Sequence, residues 1–397
     1  MIKSLDAPIL DPSALPRVSI PALYVHIPFC FHKCHYCDFY SITHQSDDRM
    51  SRFVELILRE AEMWATTELR PKTIFFGGGT PTLLPMVQMH RLIAGLRQRI
   101  DLSQIDEFTV EANPATVSLE YFQMLRSAGV DRVSLGAQSF DRGELKLLER
   151  HHDPGDVPAS LELARRAGFG RINFDLIYAI PGQTLESWSR SLDRAIALGT
   201  THLSCYGLTY EPNTPIAVKK RLGVLHQAPE SLELEMLRHA RSRLAACRLA
   251  AYEISNYATP GEECRHNLVY WTGGSYIGLG PSAASHVEGW RWKNRPHLGE
   301  WERAIESHSL PAIDVEQLAP PRRAGELAML MLRLSRGLNF ADFSARTRFD
   351  ARRLFADPIE RFARVGLLHA DETAIRLTDA GLSVADSLSA EFLAAAE

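Results

Sequence analysis

From Ala22 to Leu208 the chain alternates strand-like and helix-like apolar patterns, and this alternation limits its possible folds more than any other feature. Strand patterns lie at Ala22-Leu-Tyr-Val-His-Ile, Thr73-Ile-Phe-Phe, Glu107-Phe-Thr-Val-Glu, Arg132-Val-Ser-Leu-Gly, Ile172-Asn-Phe-Asp-Leu-Ile-Tyr and His202-Leu-Ser-Cys-Tyr-Gly-Leu. Helical periodicity fills the intervals near 49–66, 85–99, 118–128, 142–149, 156–167 and 185–198. Strands joined through helices run parallel with right-handed crossovers, in a sheet that is open or closing into a barrel. The reading is an α/β fold with a partial (β/α)6, TIM-like barrel, two units short of closure and laterally open to a bulky ligand. Polar and glycine residues cluster where these strands end, the edge at which such folds bind ligands.

Around that core the expected boundaries are a loosely ordered leader at 1–20, the partial barrel at 21–245, a connecting region at 246–315 and a mostly helical, winged-helix-like domain at 316–397. A long helix from Ser231 to about Cys247 closes the barrel segment. No apolar run approaches the roughly 20 residues needed to span a bilayer, and the start of the chain lacks a signal-peptide pattern. A cytoplasmic protein is expected.

The strand at Ala22 runs into three cysteines spaced C-x3-C-x2-C: Cys30, Cys34 and Cys37. Three thiolates on one short loop can hold three irons of a 4Fe-4S cluster and leave the fourth iron open. S-adenosylmethionine can chelate such an iron through its amino and carboxylate groups. Electron transfer into its sulfonium would then release a 5′-deoxyadenosyl radical. The competing reading is a structural zinc site with His32, His35 or His44 as fourth ligand, although zinc ligands usually come as separated pairs. Six cysteines, three of them clustered, do not form a disulfide framework. Cys205 and Cys247 read as core residues.

Gly77-Gly-Gly-Thr-Pro81 follows the second strand and lets backbone approach a ligand closely, or simply forms a tight turn. No Gly-Lys-Ser/Thr follows, which argues against a phosphate loop. Glu111 ends the third strand, where it can accept from a ligand amine or ribose, or cap a helix. Gln138, Arg150 and Asp175 fall at or just after later strands. Arg150 suits a carboxylate, and Asp175 suits ribose hydroxyls or a turn.

With these motifs in place, the chain resembles the radical S-adenosylmethionine superfamily, and within it proteins like oxygen-independent coproporphyrinogen III oxidase. Tyr24-Val-His-Ile-Pro-Phe-Cys, Phe76-Gly-Gly-Gly-Thr-Pro-Thr, Gly136-Ala-Gln-Ser-Phe and Phe174-Asp-Leu-Ile-Tyr-Ala-Ile-Pro-Gly-Gln-Thr carry the resemblance over roughly 22–390. It implies that Cys30, Cys34 and Cys37 bind the cluster. It also implies that Tyr24, Tyr36, Gly78, Gly79, Thr80, Glu111, Gln138, Arg150 and Asp175 contact S-adenosylmethionine. The oxidase has a further cysteine two residues beyond the triad, where this chain has Phe39. That departure, the short leader and His266-Asn267-Leu-Val-Tyr270-Trp271 resemble the heme chaperone branch, HemW. The resemblance implies heme binding and delivery to an acceptor protein, an electron donor, and peripheral membrane contact through the acceptor.

An imidazole can ligate heme iron while aromatic rings pack its faces, so His266 is a candidate axial ligand beside Tyr270 and Trp271. The alternative is a structural turn held by His266 and Asn267. Cys264 is a further candidate ligand, and His26 a candidate proton shuttle or orienter of the cysteine loop. The competing activity is oxidative decarboxylation of coproporphyrinogen. Nucleic-acid modification is a third class, since 321–364 holds ten arginines against five acidic residues. Arginines scattered through helices more often form a solvated face, and a net charge of −4 gives no global basis for binding nucleic acid. No nucleic acid is expected as a partner.

Overall fold

The structure is a computed structural model that describes residues 10–396. Six parallel strands form its centre: β1 (Ile20–Ile27), β2 (Leu69–Gly78), β3 (Glu107–Ala112), β4 (Arg132–Gln138), β5 (Arg171–Tyr178) and β6 (His202–Gly207). They pair in sequence order, with Tyr24 opposite Phe75 and Ile27 opposite Gly78. Ala22, Leu23, Val25 and Ile27 are all buried, as expected of a strand covered on both faces.

The intervening helices fall close to where periodicity places them. The first runs Asp47–Met63, starting earlier than expected because the Ser46 hydroxyl accepts from the Arg49 N–H at 3.3 Å. Its buried face presents Phe53, Val54, Leu56 and Ile57 to the sheet. Three helices follow β2, β3 and β5, at Met86–Arg99, Leu119–Ser127 and Leu185–Ala197. Arg142–Leu147 and Asp156–Arg166 both follow β4.

The six strands do not close on themselves, because the outer edges of β1 and β6 are already paired. The segment expected as a connecting region supplies these partners. β7 (Ala250–Ala251) and β8 (Asn256–Ala258) lie antiparallel beyond β6. β9 (Tyr276–Leu279) pairs parallel with β1. The antiparallel strands β10 (Ala284–Val287), β11 (Trp290–Asn294) and β12 (Ala312–Gln317) extend that edge. The result is one mixed, twelve-stranded sheet. Glu60 fastens this extension to the first helix. Its buried carboxylate accepts from the Gly280 N–H at 2.7 Å, Asn294 Nδ2 at 2.6 Å and Trp301 Nε1 at 3.0 Å. Burial pushes the carboxyl up to about 7 against these three donors.

The expected leader is only partly visible. Residues 1–9 lie outside the described residues. In the remainder, Leu10 and Leu15 are buried in the main core, so that part is packed rather than loose. At the other end, helices Pro320–Met331, Phe340–Thr347 and Ala356–Arg364 precede a hairpin of β14 (Leu368–Ala370) and β15 (Ala374–Leu377), which also pairs with β13 (Leu338–Asn339). This C-terminal unit has its own core, in which Phe355 packs on Phe343 and Phe392. Among the described residues no helix is long and apolar enough to cross a membrane.

Candidate functional site

The C-terminal ends of β1–β6 open onto a cavity of about 1270 Å3. The cysteine loop forms one wall and is held by backbone rather than by its thiols. The Cys30 N–H donates to the Ile42 carbonyl at 2.9 Å and the Ile42 N–H to Pro28 at 2.8 Å, while Phe29 is buried edge-on to Phe53. On its far side the His35 N–H reaches the Leu148 carbonyl at 3.3 Å, and the Ile216 N–H reaches the His35 carbonyl at 3.0 Å. Cys30, Cys34 and Cys37 are partly buried and free, and all three line the cavity. Burial raises the Cys30 thiol and pushes that of Cys37 up to about 11. Metal coordination would deprotonate them.

The glycine run serves this loop as well as the cavity. Gly78 has φ +102°, and a Cβ there would lie 2.5 Å from the His26 ring. A Cβ on Gly79 would lie 2.7 Å from the Phe29 carbonyl. Backbone at 78–79 therefore lies flush against the end of β1 and the start of the cysteine loop, with the Thr80 N–H donating to the Phe29 carbonyl at 2.7 Å. His26 is buried. Its Nε2 meets the Tyr40 carbonyl at 2.8 Å and its Nδ1 the Tyr24 hydroxyl at 3.2 Å. Burial lowers its imidazole to about 4, so it sits as a neutral spacer between strand and loop.

Charged groups line the same cavity. Glu111 accepts from the Gly78 N–H at 3.2 Å. Burial, reinforced by Asp175, pushes its carboxyl up to about 8 despite that bond. Asp175 stands within β5 rather than at its end; it accepts from Ser134 Oγ at 3.0 Å and Asn173 Nδ2 at 2.9 Å. Burial raises it too. Arg150 follows the helix Arg142–Leu147 and so is not at a strand end. Its Nη2 donates to the Gly136 carbonyl at 2.6 Å and its Nη1 to Cys34 Sγ at 3.6 Å, while its buried Nε has no partner.

Tyr24, Tyr36, Gly78, Gly79, Thr80, Glu111, Gln138, Arg150 and Asp175 thus line one cavity with the three cysteines. An unpartnered guanidinium N–H and two partly buried carboxyls fit a ligand bearing both a carboxylate and cationic groups. Sequence reasoning missed Ser134 and Asn173, which fix Asp175, and Tyr206, Tyr276 and Lys293, which also line the cavity. Tyr276 and Lys293 stand on the sheet extension, which no local pattern signalled.

The Glu111 carboxyl has a consequence for stability. An acid whose folded-state value exceeds its usual 4.5 favours folding most when neutral. In the ligand-free protein this contribution should be complete below pH 4.5 and disappear as pH rises to about 8. Chemical denaturation across that window should show stability falling with pH, and Glu111→Gln should flatten that slope. An unchanged slope in Glu111→Gln would assign it to other groups.

The proposed heme residues are arranged differently from the expectation. His266 lies at the start of the helix Arg265–Trp271, is buried and does not line the cavity. Its Nδ1 meets Thr73 Oγ1 at 2.9 Å, its Nε2 meets the Tyr270 hydroxyl at 2.8 Å, and its ring stacks on Phe75 at 5.3 Å. Burial lowers it to about 3, so the imidazole is neutral. Tyr270 lines the cavity in front of it, whereas Trp271 lies under the Arg333 guanidinium at 5.1 Å. The structure therefore does not gather His266, Tyr270 and Trp271 around one space. The Cys264 thiol is buried, donates to Glu107 at 3.3 Å and is pushed up to about 12, which makes it a poor iron ligand. Cys205 is a core residue as expected. Cys247 is only partly buried, where the Arg243 Nη1 donates to it at 3.1 Å.

Comparison with known proteins adds the following. The radical SAM superfamily matches residues 24–195, and the HemN C-terminal domain matches 318–384. The chain is 33% identical over 370 residues to the heme chaperone HemW of Lactococcus lactis subsp. lactis, covering 93% of this chain and 96% of that one. It is 35% identical over 391 residues to the heme chaperone HemW of Mycobacterium tuberculosis, covering 96% and 97%. With the heme chaperone HemW of Escherichia coli the identity is 40% over 276 residues, covering 69% and 71%. The solved structure of coproporphyrinogen III oxidase (HemN) from Escherichia coli superimposes with a TM-score of 0.83 at 23% identity, covering 96% of this chain and 92% of that one. At that identity the likeness speaks for the fold.

Proposed function

We propose, from the premise that this chain belongs to the HemW family of the radical SAM superfamily, that it binds heme and passes it to an acceptor protein. In this reading Cys30, Cys34 and Cys37 hold a 4Fe-4S cluster. Tyr24, Tyr36, Gly78, Gly79, Thr80, Glu111, Gln138, Arg150 and Asp175 hold S-adenosylmethionine beside it. When bound, that pair supplies one-electron chemistry. The observation that carries the reading is the single cavity shared by these twelve residues. At about 1270 Å3 it exceeds the roughly 300–1,000 Å3 typical of one small ligand, so a second, larger guest can enter.

The residues assist in distinct ways. Arg150 would turn its free Nε–H to a carboxylate while its Nη1 stays on Cys34. Glu111, once ionised, would accept from an ammonium group, and Asp175, fixed by Ser134 and Asn173, from hydroxyls. His266 is neutral, the form an iron ligand requires, but its Nε2 becomes available only when the Tyr270 hydroxyl lets go. Tyr270 therefore acts as the shutter between His266 and the cavity.

Anaerobic reconstitution tests the reading. About four irons, four sulfides and one heme should be held per chain, and coproporphyrinogen III should be left unchanged. His266→Ala should lose most of the heme Soret absorbance while retaining iron and sulfide. Tyr270→Phe, which frees Nε2, should hold heme at least as tightly as the parent chain. A full Soret band in His266→Ala would move the axial ligand elsewhere, and turnover of coproporphyrinogen would replace the chaperone reading with the oxidase.

A further inference from the structure

We propose that His32, Glu149 and His151 form a site for a divalent transition ion at the cavity mouth, distinct from the cysteine thiols. The three side chains come from two segments. His32 lies within the cysteine loop, and Glu149 and His151 flank Arg150. One ligand atom from each lies within 4.8 Å of the others. His32 Nε2 is 3.7 Å from Glu149 Oε2, and the His32 and His151 rings meet edge to face with centroids 4.4 Å apart.

The environment of these atoms points to a ligand. His32 Nε2 is shut off from solvent and has no hydrogen-bond partner, although it faces the carboxylate. A buried polar atom without a partner is costly, and an ion between imidazole and carboxylate would satisfy both. Glu149 meets His32 and, at 3.9 Å, His35, but among the described residues no lysine or arginine. The nearby Lys219 ammonium is directed to His35 Nδ1 at 3.1 Å instead.

The donor set selects the class of ion. Two imidazoles and one carboxylate suit zinc or iron(II), and three protein ligands leave a position open to water or a second ligand. Tetrahedral zinc with bonds of about 2.0–2.2 Å places its ligand atoms roughly 3.4 Å apart. The His32–Glu149 pair is within a few tenths of an ångström of that, and His151, exposed at the rim, can rotate to complete the set. A bound ion would tie the loop between Cys30 and Cys34 to the segment that carries Arg150. It would thereby couple the cysteine wall to the guanidinium that contacts Cys34.

Cobalt(II) titration of the full chain tests this in two forms, the cluster-loaded protein and the triple variant Cys30→Ala, Cys34→Ala, Cys37→Ala. In difference spectra each should bind about one cobalt, with visible d–d bands and no new thiolate-to-cobalt charge-transfer band. Zinc should displace it. His151→Gln and Glu149→Gln should each weaken binding at least about a hundredfold, beyond what loss of an outer-shell partner causes. His226→Gln, an exposed histidine elsewhere, should have no effect. Failure of the triple variant to bind cobalt, unchanged binding in both glutamine variants, or a new thiolate-to-cobalt band when cobalt is added to the cluster-loaded protein would each overturn the site. The triple variant keeps this result separate from any failure of the cluster reading.

Discussion

Cys30→Ala is expected to take iron and sulfide from about four each per reconstituted chain to near zero, with little change in folding stability. The Cys30 thiol makes only weak polar contacts, with Thr80 Oγ1 at 3.7 Å and with Ser41, whereas the loop's shape rests on the Cys30 N–H, the Ile42 N–H and the buried Phe29. Removing the sulfur leaves that frame in place and deletes a ligand. The control is Cys205→Ala, which removes a fully buried thiol from the core. It should lower the melting temperature and leave the iron count unchanged. Iron retained by Cys30→Ala, or lost by Cys205→Ala, would disconnect the metal from the loop.

Glu107→Ala should be among the most destabilising single changes, at about 3 kcal/mol or more by urea denaturation. The carboxylate is fully buried at the start of β3. One oxygen accepts from the His266 N–H at 3.0 Å and the Cys264 thiol at 3.3 Å. The other accepts from the Arg265 N–H at 3.1 Å and Arg171 Nη2 at 2.7 Å. Glu107 thus caps the helix that carries His266, Tyr270 and Trp271 and anchors it to the central sheet. Alanine would orphan two backbone N–H groups and a thiol, although Arg171 keeps Asp131 and Glu262. Glu107→Gln retains one acceptor oxygen and should lose less. A change below about 1 kcal/mol in Glu107→Ala would mean that the helix holds its place without this cap.

Both predictions depend on contacts of different visibility in the sequence. The cysteine loop and the six parallel strands were legible because each rests on local pattern: ligand spacing in one case, continuous apolar runs bounded by glycine and polar residues in the other. β7–β12 were not. They are two to six residues long, and their place follows from the open edges of β1 and β6, which no local window records. Lys293 and Tyr276 reach the cavity only through that extension, so they went unseen. Arg150 was selected for its chemistry but misplaced, because a short helix separates it from β4. His266 shows the limit most clearly. Its motif marks a special position, yet whether its nitrogens face a cavity or face Thr73 and Tyr270 depends on how β2 and its own helix pack. Glu60 and Glu107, the two buried carboxylates that attach distant segments, look in sequence like ordinary helix and strand residues.

The central claim is that three thiols leave one iron of a cluster open to a ligand held by Glu111, Asp175 and Arg150. The most direct measurement is electron paramagnetic resonance of the reduced, reconstituted protein before and after addition of S-adenosylmethionine. The account predicts a [4Fe-4S] signal whose g-values shift on addition, with the shift lost in Arg150→Ala. A signal unaffected by S-adenosylmethionine, or thiols occupied by zinc without inorganic sulfide, would contradict it.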